Sequence, residues 1–228
     1  METVINPPRQ QWASLVRRNI TDAATVAEAV DAIIERVSAE GDAALRDYAL
    51  KFDGSHIDTL EVSQEEIAVA GDAVSSDVKR AIATGIANIK AFHAAQLPHE
   101  VKVETMPGVT CVQRAVPLQR VGLYIPGGQA PLFSTVMMLA VPARIAGCPE
   151  VILCTPQSHD RPIAPEILYT ARECGVSRIY RVGGAQAIAA MAVGTDSIAR
   201  VDKIFGPGNR FVTRAKQVLS QRVAIDMP

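Results

Sequence analysis

The sequence has 228 residues, 48% of them hydrophobic and 21% charged, so it is long enough to bury a core and too apolar to stay disordered. Its 23 basic side chains meet 24 acidic ones, for a net charge of -1, and aromatics make up only 4%. Nucleic acid, which selects a basic excess and stacking rings, is therefore not an expected partner.

The N-terminus, Met1-Glu-Thr-Val-Ile-Asn-Pro-Pro8, has no basic stretch followed by an apolar run, so no secretory signal is predicted. A helical region follows. Val26, Val30, Ile33, Ile34 and Val37 recur at helical spacing after Thr21-Asp22, a candidate cap. A second helix is predicted from Gly41 to Phe52, stopping at Asp53-Gly54. Ser63-Gln-Glu-Glu66 has the capping-box pattern ahead of Ile67. Val78, Ile82, Ile86 and Ile89 mark one face of a long helix that Pro98 brings to an end. Val101–Thr105 and Val109–Val116 then alternate apolar and polar residues around Met106-Pro-Gly108, which predicts a β-hairpin.

From about Arg120 the pattern changes. Five short strand-like runs appear: Val121–Ile125, Val151–Cys154, Arg178–Val182, Lys203–Phe205 and Val223–Ile225. Between them lie predicted helices at Leu132–Ala146, Ala164–Glu173, Ala185–Val193 and Asn209–Ser220. The first intervals, about 30 residues each, have the size of a βαβ unit. Val151-Ile-Leu-Cys154 is apolar on both faces, as a buried parallel strand requires. The expected fold class is α/β: a helical N-terminal part with a hairpin (residues 1–119), then a Rossmann-like parallel sheet with flanking helices (residues 120–228). The longest apolar stretch, Val136–Ala143, is too short to span a bilayer and contains Pro142. Cys111, Cys148, Cys154 and Cys174 sit in apolar segments without Cys-x-x-Cys spacing, and are expected to be buried, reduced thiols. A soluble, cytoplasmic protein without a membrane partner is the expectation.

In an open parallel sheet, ligands lie beyond the carboxyl ends of the strands. Three of these predicted strands end there in glycine turns: Tyr124-Ile-Pro-Gly-Gly128, Val182-Gly-Gly-Ala-Gln186 and Phe205-Gly-Pro-Gly-Asn209. Glycine lets backbone approach a ligand, and a following helix offers free N–H groups and a positive dipole end to phosphate. Tyr124 is a candidate to stack on or hydrogen-bond a cofactor ring, and Gln186 and Asn209 offer neutral amides. None of the three turns is G-x-G-x-x-G, and strand-to-helix turns favour glycine in any case. For Tyr124 taken alone an unliganded edge residue is the better explanation, and for Asn209 a helix N-cap explains the residue equally well. Both readings stand on the residues alone.

His56, His93, His99 and His159 never pair at helical i, i+4 spacing and join no cysteines or carboxylates at metal-ligand spacing, so no metal site is predicted. No G-x-S-x-G or Walker sequence occurs. Asp42 and Glu65-Glu66 read as solvated first-turn acids. The residues thus offer a cofactor cradle with no visible acid, base or nucleophile, and no catalytic residue is assigned.

Arg120-Val-Gly-Leu-Tyr-Ile-Pro-Gly-Gly128 is similar to the segment that opens the nucleotide-binding domain of the histidinol dehydrogenase family. The resemblance continues through Ala130-Pro-Leu-Phe-Ser-Thr135, Val182-Gly-Gly-Ala-Gln-Ala187, Asp202-Lys-Ile-Phe-Gly-Pro-Gly-Asn209 and Ala224-Ile-Asp-Met-Pro228, and upstream through Gly41-Asp-Ala-Ala-Leu45 and Lys51-Phe-Asp-Gly54. It implies a zinc- and NAD-dependent oxidoreductase of histidine biosynthesis that converts L-histidinol to L-histidine through L-histidinal. It also implies a homodimer, and NAD contacts at Tyr124, Gln186 and Asn209. The family continues with Ala-Gly-Pro-Ser-Glu where this sequence stops, and its zinc ligands and Glu-His acid/base pair lie beyond that point. The resemblance therefore implies a fragment that is inactive alone. A related zinc/NAD alcohol dehydrogenase with another substrate, or a short non-catalytic paralogue that binds nucleotide or a partner, are the alternatives.

Overall fold

A computed structural model of the chain describes residues 3–17, 23–128, 130–158 and 161–227. The candidate cap Thr21-Asp22 and His159 lie outside them. A 3-10 turn (Arg9–Gln11) and a short helix α1 (Trp12–Leu15) precede four helices: α2 (Ala23–Glu40), α3 (Asp42–Asp53), α4 (Gln64–Ala73) and α5 (Ser76–Ala94). The α4 cap forms as its sequence predicts: Ser63 accepts from the Glu66 N–H, and the Glu66 carboxylate accepts from the Ser63 N–H. The Ser75 hydroxyl likewise accepts from the Val78 N–H and starts α5.

Strands β1 (Val101–Met106) and β2 (Val109–Gln113) form the predicted antiparallel hairpin. Strand β2 is shorter than its sequence pattern because β1 begins at Val101, whose partner is Gln113. Both faces of this ribbon are exposed. That corrects one expectation. Cys148, Cys154 and Cys174 are buried, but Cys111 is exposed. Its alternating pattern describes a strand with one face covered, and no element among the described residues is packed over that face.

The second sheet is built from β3 (Arg120–Tyr124), β4 (Glu150–Cys154), β5 (Arg178–Tyr180), β6 (Lys203–Phe205) and β7 (Ala224–Ile225). Helices α6 (Phe133–Ile145), α7 (Pro165–Glu173), α8 (Gly184–Val193) and α9 (Arg210–Leu219) connect them. Every strand pair is parallel and the order is β5-β4-β3-β6-β7. The chain builds outward from β3 to β5 and then returns through α8 to lay β6 on the other side of β3. The order therefore reverses between β3 and β6, which makes their carboxyl ends the topological switch point.

Two apolar cores flank this sheet. Strand residues alternate between them, as a period of two demands. Val121, Leu123, Val151 and Leu153 face the core shared by α4, α5, α6 and α7. Ile152, Cys154 and Tyr124 face the core shared by α2, α3, α8 and α9. Helix α8 is buried from Ala185 to Ala192. Its alanines let it lie close between the sheet and α2. Each fully buried Leu or Ile in these layers contributes about 1.5–3 kcal/mol, so both helical coats are substantial terms in stability. Long-range polar ties reinforce them. Arg181, after β5, forms a forked pair with the Glu66 carboxylate at 2.9 and 2.8 Å. Asp42, at the start of α3, accepts from the Ser197 N–H and hydroxyl. No helix among the described residues is long and apolar enough to cross a membrane.

Candidate functional site

The three glycine turns converge at the carboxyl ends of the strands, and Tyr124 is where they meet. Its side chain is 3% exposed. The phenol oxygen accepts a hydrogen bond from the Gly184 N–H at 2.9 Å, in the first turn of α8. Burial, with the Asp53 charge as a further cause, pushes the phenol up to about 12, so it stays protonated. The Tyr124 carbonyl, in turn, lies against Gly206 of the third turn. A methyl group added at Gly206 would stand 2.1 Å from that oxygen. Only glycine fits so close an approach, and its φ of +130° is one that other residues rarely adopt.

Gln186 is also 3% exposed. Its amide folds back over the first turn of α8, since a methyl group at Gly184 would meet Oε1 at 2.6 Å. Asn209 stands apart from this buried pair. It is exposed and caps α9, with Oδ1 accepting from the N–H groups of Phe211 and Val212 at 3.0 and 3.1 Å. Among the described residues its NH₂ group has no acceptor, which leaves both donors for another partner.

A cavity of about 670 Å³ opens beyond the carboxyl ends of β3 and β4, and Tyr124, Gln186 and Asn209 are not among the residues that line it. Gly127, Gly128, Thr155, Ser158, Arg161 and Asp53 supply its polar lining, and Pro126, Pro131, Pro156 and Pro162 give it rigid apolar walls. This volume lies within the range of small-molecule and cofactor sites, roughly 300–1,000 Å³. Arg161 and exposed turn backbone suit a phosphate. Asp53 gives an acceptor for hydroxyl groups, and burial raises its carboxyl above the usual range. Asp53 was not legible as a site residue. Its sequence context, Lys51-Phe-Asp-Gly54, marks only the end of α3, where Gly54 adopts φ +62° as C-cap. Tertiary packing of α3 against α2 and α8 carries that carboxyl to the cavity.

The family model described as Histidinol dehydrogenase matches residues 16–228. The chain belongs to the histidinol dehydrogenase family. It is 54% identical to the histidinol dehydrogenase of Salmonella typhimurium over 224 residues, covering 97% of this chain and 51% of that protein. It is also 54% identical to that of Escherichia coli O157:H7 over 223 residues, covering 96% of this chain and 50% of that protein. The crystal structure of histidinol dehydrogenase from Elizabethkingia anophelis superposes with a TM-score of 0.90 at 46% identity, covering all of this chain and 53% of that one. The chain thus spans about half the length of the histidinol dehydrogenases it matches. Among the described residues, no three His, Cys, Asp or Glu side chains gather as a metal cage.

Proposed function

We propose that this chain is the NAD-holding part of a histidinol dehydrogenase that oxidises L-histidinol to L-histidine through L-histidinal. Residues 120–228 act as its NAD-binding domain, and residues 1–119 as part of a domain completed by further sequence. The observation that carries this reading is the meeting of the three glycine turns at Tyr124, over the carboxyl ends of β3 and β6. NAD fits the residues present: glycine turns for close backbone approach, two helix N-termini that favour phosphate, and a cavity with a guanidinium and a carboxyl.

The chemistry that NAD supplies when bound is hydride acceptance. This chain's own part is to hold and orient. Asn209 directs its free NH₂ donors outward from the head of α9. Gln186 and the Tyr124 phenol brace the first turn of α8 from beneath. Asp53 and Arg161 present opposite charges across the cavity for hydroxyl and phosphate groups. Zinc finds no ligand set among the described residues. The metal, the acid/base pair and most substrate contacts belong to the half of the family's length outside this chain. The assembled enzyme is a cytoplasmic homodimer.

Titration of the chain with NAD, followed by calorimetry, tests the site. Wild type is expected to bind, and Gln186→Ala, Asn209→Ala and Tyr124→Phe to weaken binding. Equal affinity in all four proteins would overturn the assignment. Formation of NADH from histidinol and zinc by this chain alone would overturn the division of labour.

A further inference from the structure

Lys216 of α9 is 5% exposed, and Asp226 stands just after β7. Their side chains pair directly, Nζ against Oδ1. Each also grips one of the two backbone polar groups of the same residue, Gly206. Asp226 Oδ2 accepts from the Gly206 N–H at 2.8 Å, and Lys216 Nζ donates to the Gly206 carbonyl at 3.0 Å. The Asp226 N–H donates to the Ile204 carbonyl at 3.1 Å, which fixes the carboxylate relative to β6. Gly206 is thus held on both sides by a closed ring of polar contacts. It is the residue whose backbone lies against Tyr124 and whose turn leads to Asn209.

Lys216 is buried while the Asp226 side chain is 26% exposed, and such a pair is a poor device for stability alone, since desolvating the ammonium offsets much of the attraction. What charged groups add is direction, because charge-assisted hydrogen bonds are short and geometrically strict. Here both point at one glycine in a conformation that needs holding. Burial acts to raise the Asp226 carboxyl, yet the hydrogen bonds from Lys216 and Gly206 outweigh it and keep the group ionised below its ordinary range.

We propose that Lys216 and Asp226 are positioning residues: they set the Gly206 backbone, and through it the Gly-Pro-Gly-Asn turn, in the arrangement that receives NAD. This rests on the reading of that turn as part of the NAD site. Neither side chain touches the cofactor in this scheme. Both act through the Gly206 backbone.

The test uses the full chain as wild type, Asp226→Asn and Lys216→Met. Hydrogen exchange is followed at the Gly206 amide and at amides of β4, which report global opening. NAD is titrated at a temperature where each protein is fully folded. Wild type is expected to protect the Gly206 amide, and both variants to exchange it at least about tenfold faster while β4 changes less. NAD dissociation constants are expected to rise by about tenfold or more in the variants, the scale of loss when a positioning group is misplaced. A lowered melting temperature with unchanged affinity and unchanged relative protection of Gly206 would reduce the pair to a structural salt bridge and overturn the proposal. An unprotected Gly206 amide in wild type would overturn it without recourse to either variant. Absence of NAD binding by wild type, with Gly206 exchange still accelerated in the variants, would sink the cofactor reading and leave the clamp on the turn standing.

Discussion

Gly206→Ala puts the convergence of the turns under the most direct strain. The new methyl group would lie 2.1 Å from the Tyr124 oxygen, 3.0 Å from its carbonyl carbon and 3.1 Å from its nitrogen. The first distance falls about 1 Å short of the 3.0 Å below which Cβ atoms are essentially never found. The obstacle is main chain, not a flexible side-chain tip. Tyr124 ends the central strand, where it pairs with Cys154 of β4, and the following Ile125 N–H donates to the Cys154 carbonyl at 3.0 Å. Relief therefore means parting β3 from β6. A non-glycine residue at this φ costs about 1–3 kcal/mol, and overpacking adds about 1–3 kcal/mol, for a total of about 2–6 kcal/mol. For a chain of this size each kcal/mol lowers the melting temperature by about 2–4 °C, so a fall of roughly 4–24 °C is expected. Gly108→Ala is the control. Its φ is +80° but nothing lies within 4 Å of the added methyl, so only the backbone term of about 1 kcal/mol applies. Melting both variants by circular dichroism separates the two. If Gly206→Ala melts within about 2 °C of Gly108→Ala, the close approach of β6 to Tyr124 is not a feature of the folded protein.

Tyr124→Phe keeps the ring and removes only the acceptor of the Gly184 N–H. It is expected to cost about 1–3 kcal/mol in a urea titration, and no loss would mean that the N–H is paired elsewhere. Thiol labelling of the native chain should show one fast equivalent, Cys111, because Cys148, Cys154 and Cys174 are buried and burial pushes the last two thiols up to about 12. Three or four fast thiols would contradict the packing of both cores. Burial acts to raise the Asp42 carboxyl, but hydrogen bonds from Ser197 and Thr195 and the charge of Arg46 outweigh it and leave it lowered. Its folded value is therefore below its unfolded value of about 3.9, so its contribution is complete above that pH and is lost as the pH falls through the folded value. The urea midpoint of wild type should fall more steeply below about pH 4 than that of Asp42→Asn, and parallel curves would refute the linkage.

What the sequence declares openly is local. The five parallel strands lie within two residues of their apolar runs, and the Ser63 box, the Met106-Pro-Gly108 turn and the Asn209 cap can all be read from neighbours a few positions apart. Partners distant in the chain are silent. Nothing near Asp42 announces Ser197, 155 positions away, and nothing near Glu66 announces Arg181, 115 positions away. Asp42 and Glu66 read as solvated first-turn acids for that reason, although Asp42 ties α3 to the loop after α8 and Glu66 ties α4 to the end of β5. The same blindness hides Asp53 at the cavity and Asp226 beneath Gly206. Their chemistry is ordinary, and only the strand order brings it to the site.

The site residues also carry the fold, and this bears on how their loss is read. The Asn209 side-chain oxygen Oδ1 is committed to the α9 cap, so Asn209→Ala removes about 1 kcal/mol of helix stability together with the amide donors. Asn209→Ser separates the two roles, because serine caps as well as asparagine but offers no amide. A serine variant that melts like wild type and binds NAD as weakly as the alanine variant would assign the NH₂ group to the cofactor. Serine that restores both would leave Asn209 as a cap alone, and the ledge for NAD would then rest on Gln186, the turn backbone and the cavity beyond β3 and β4.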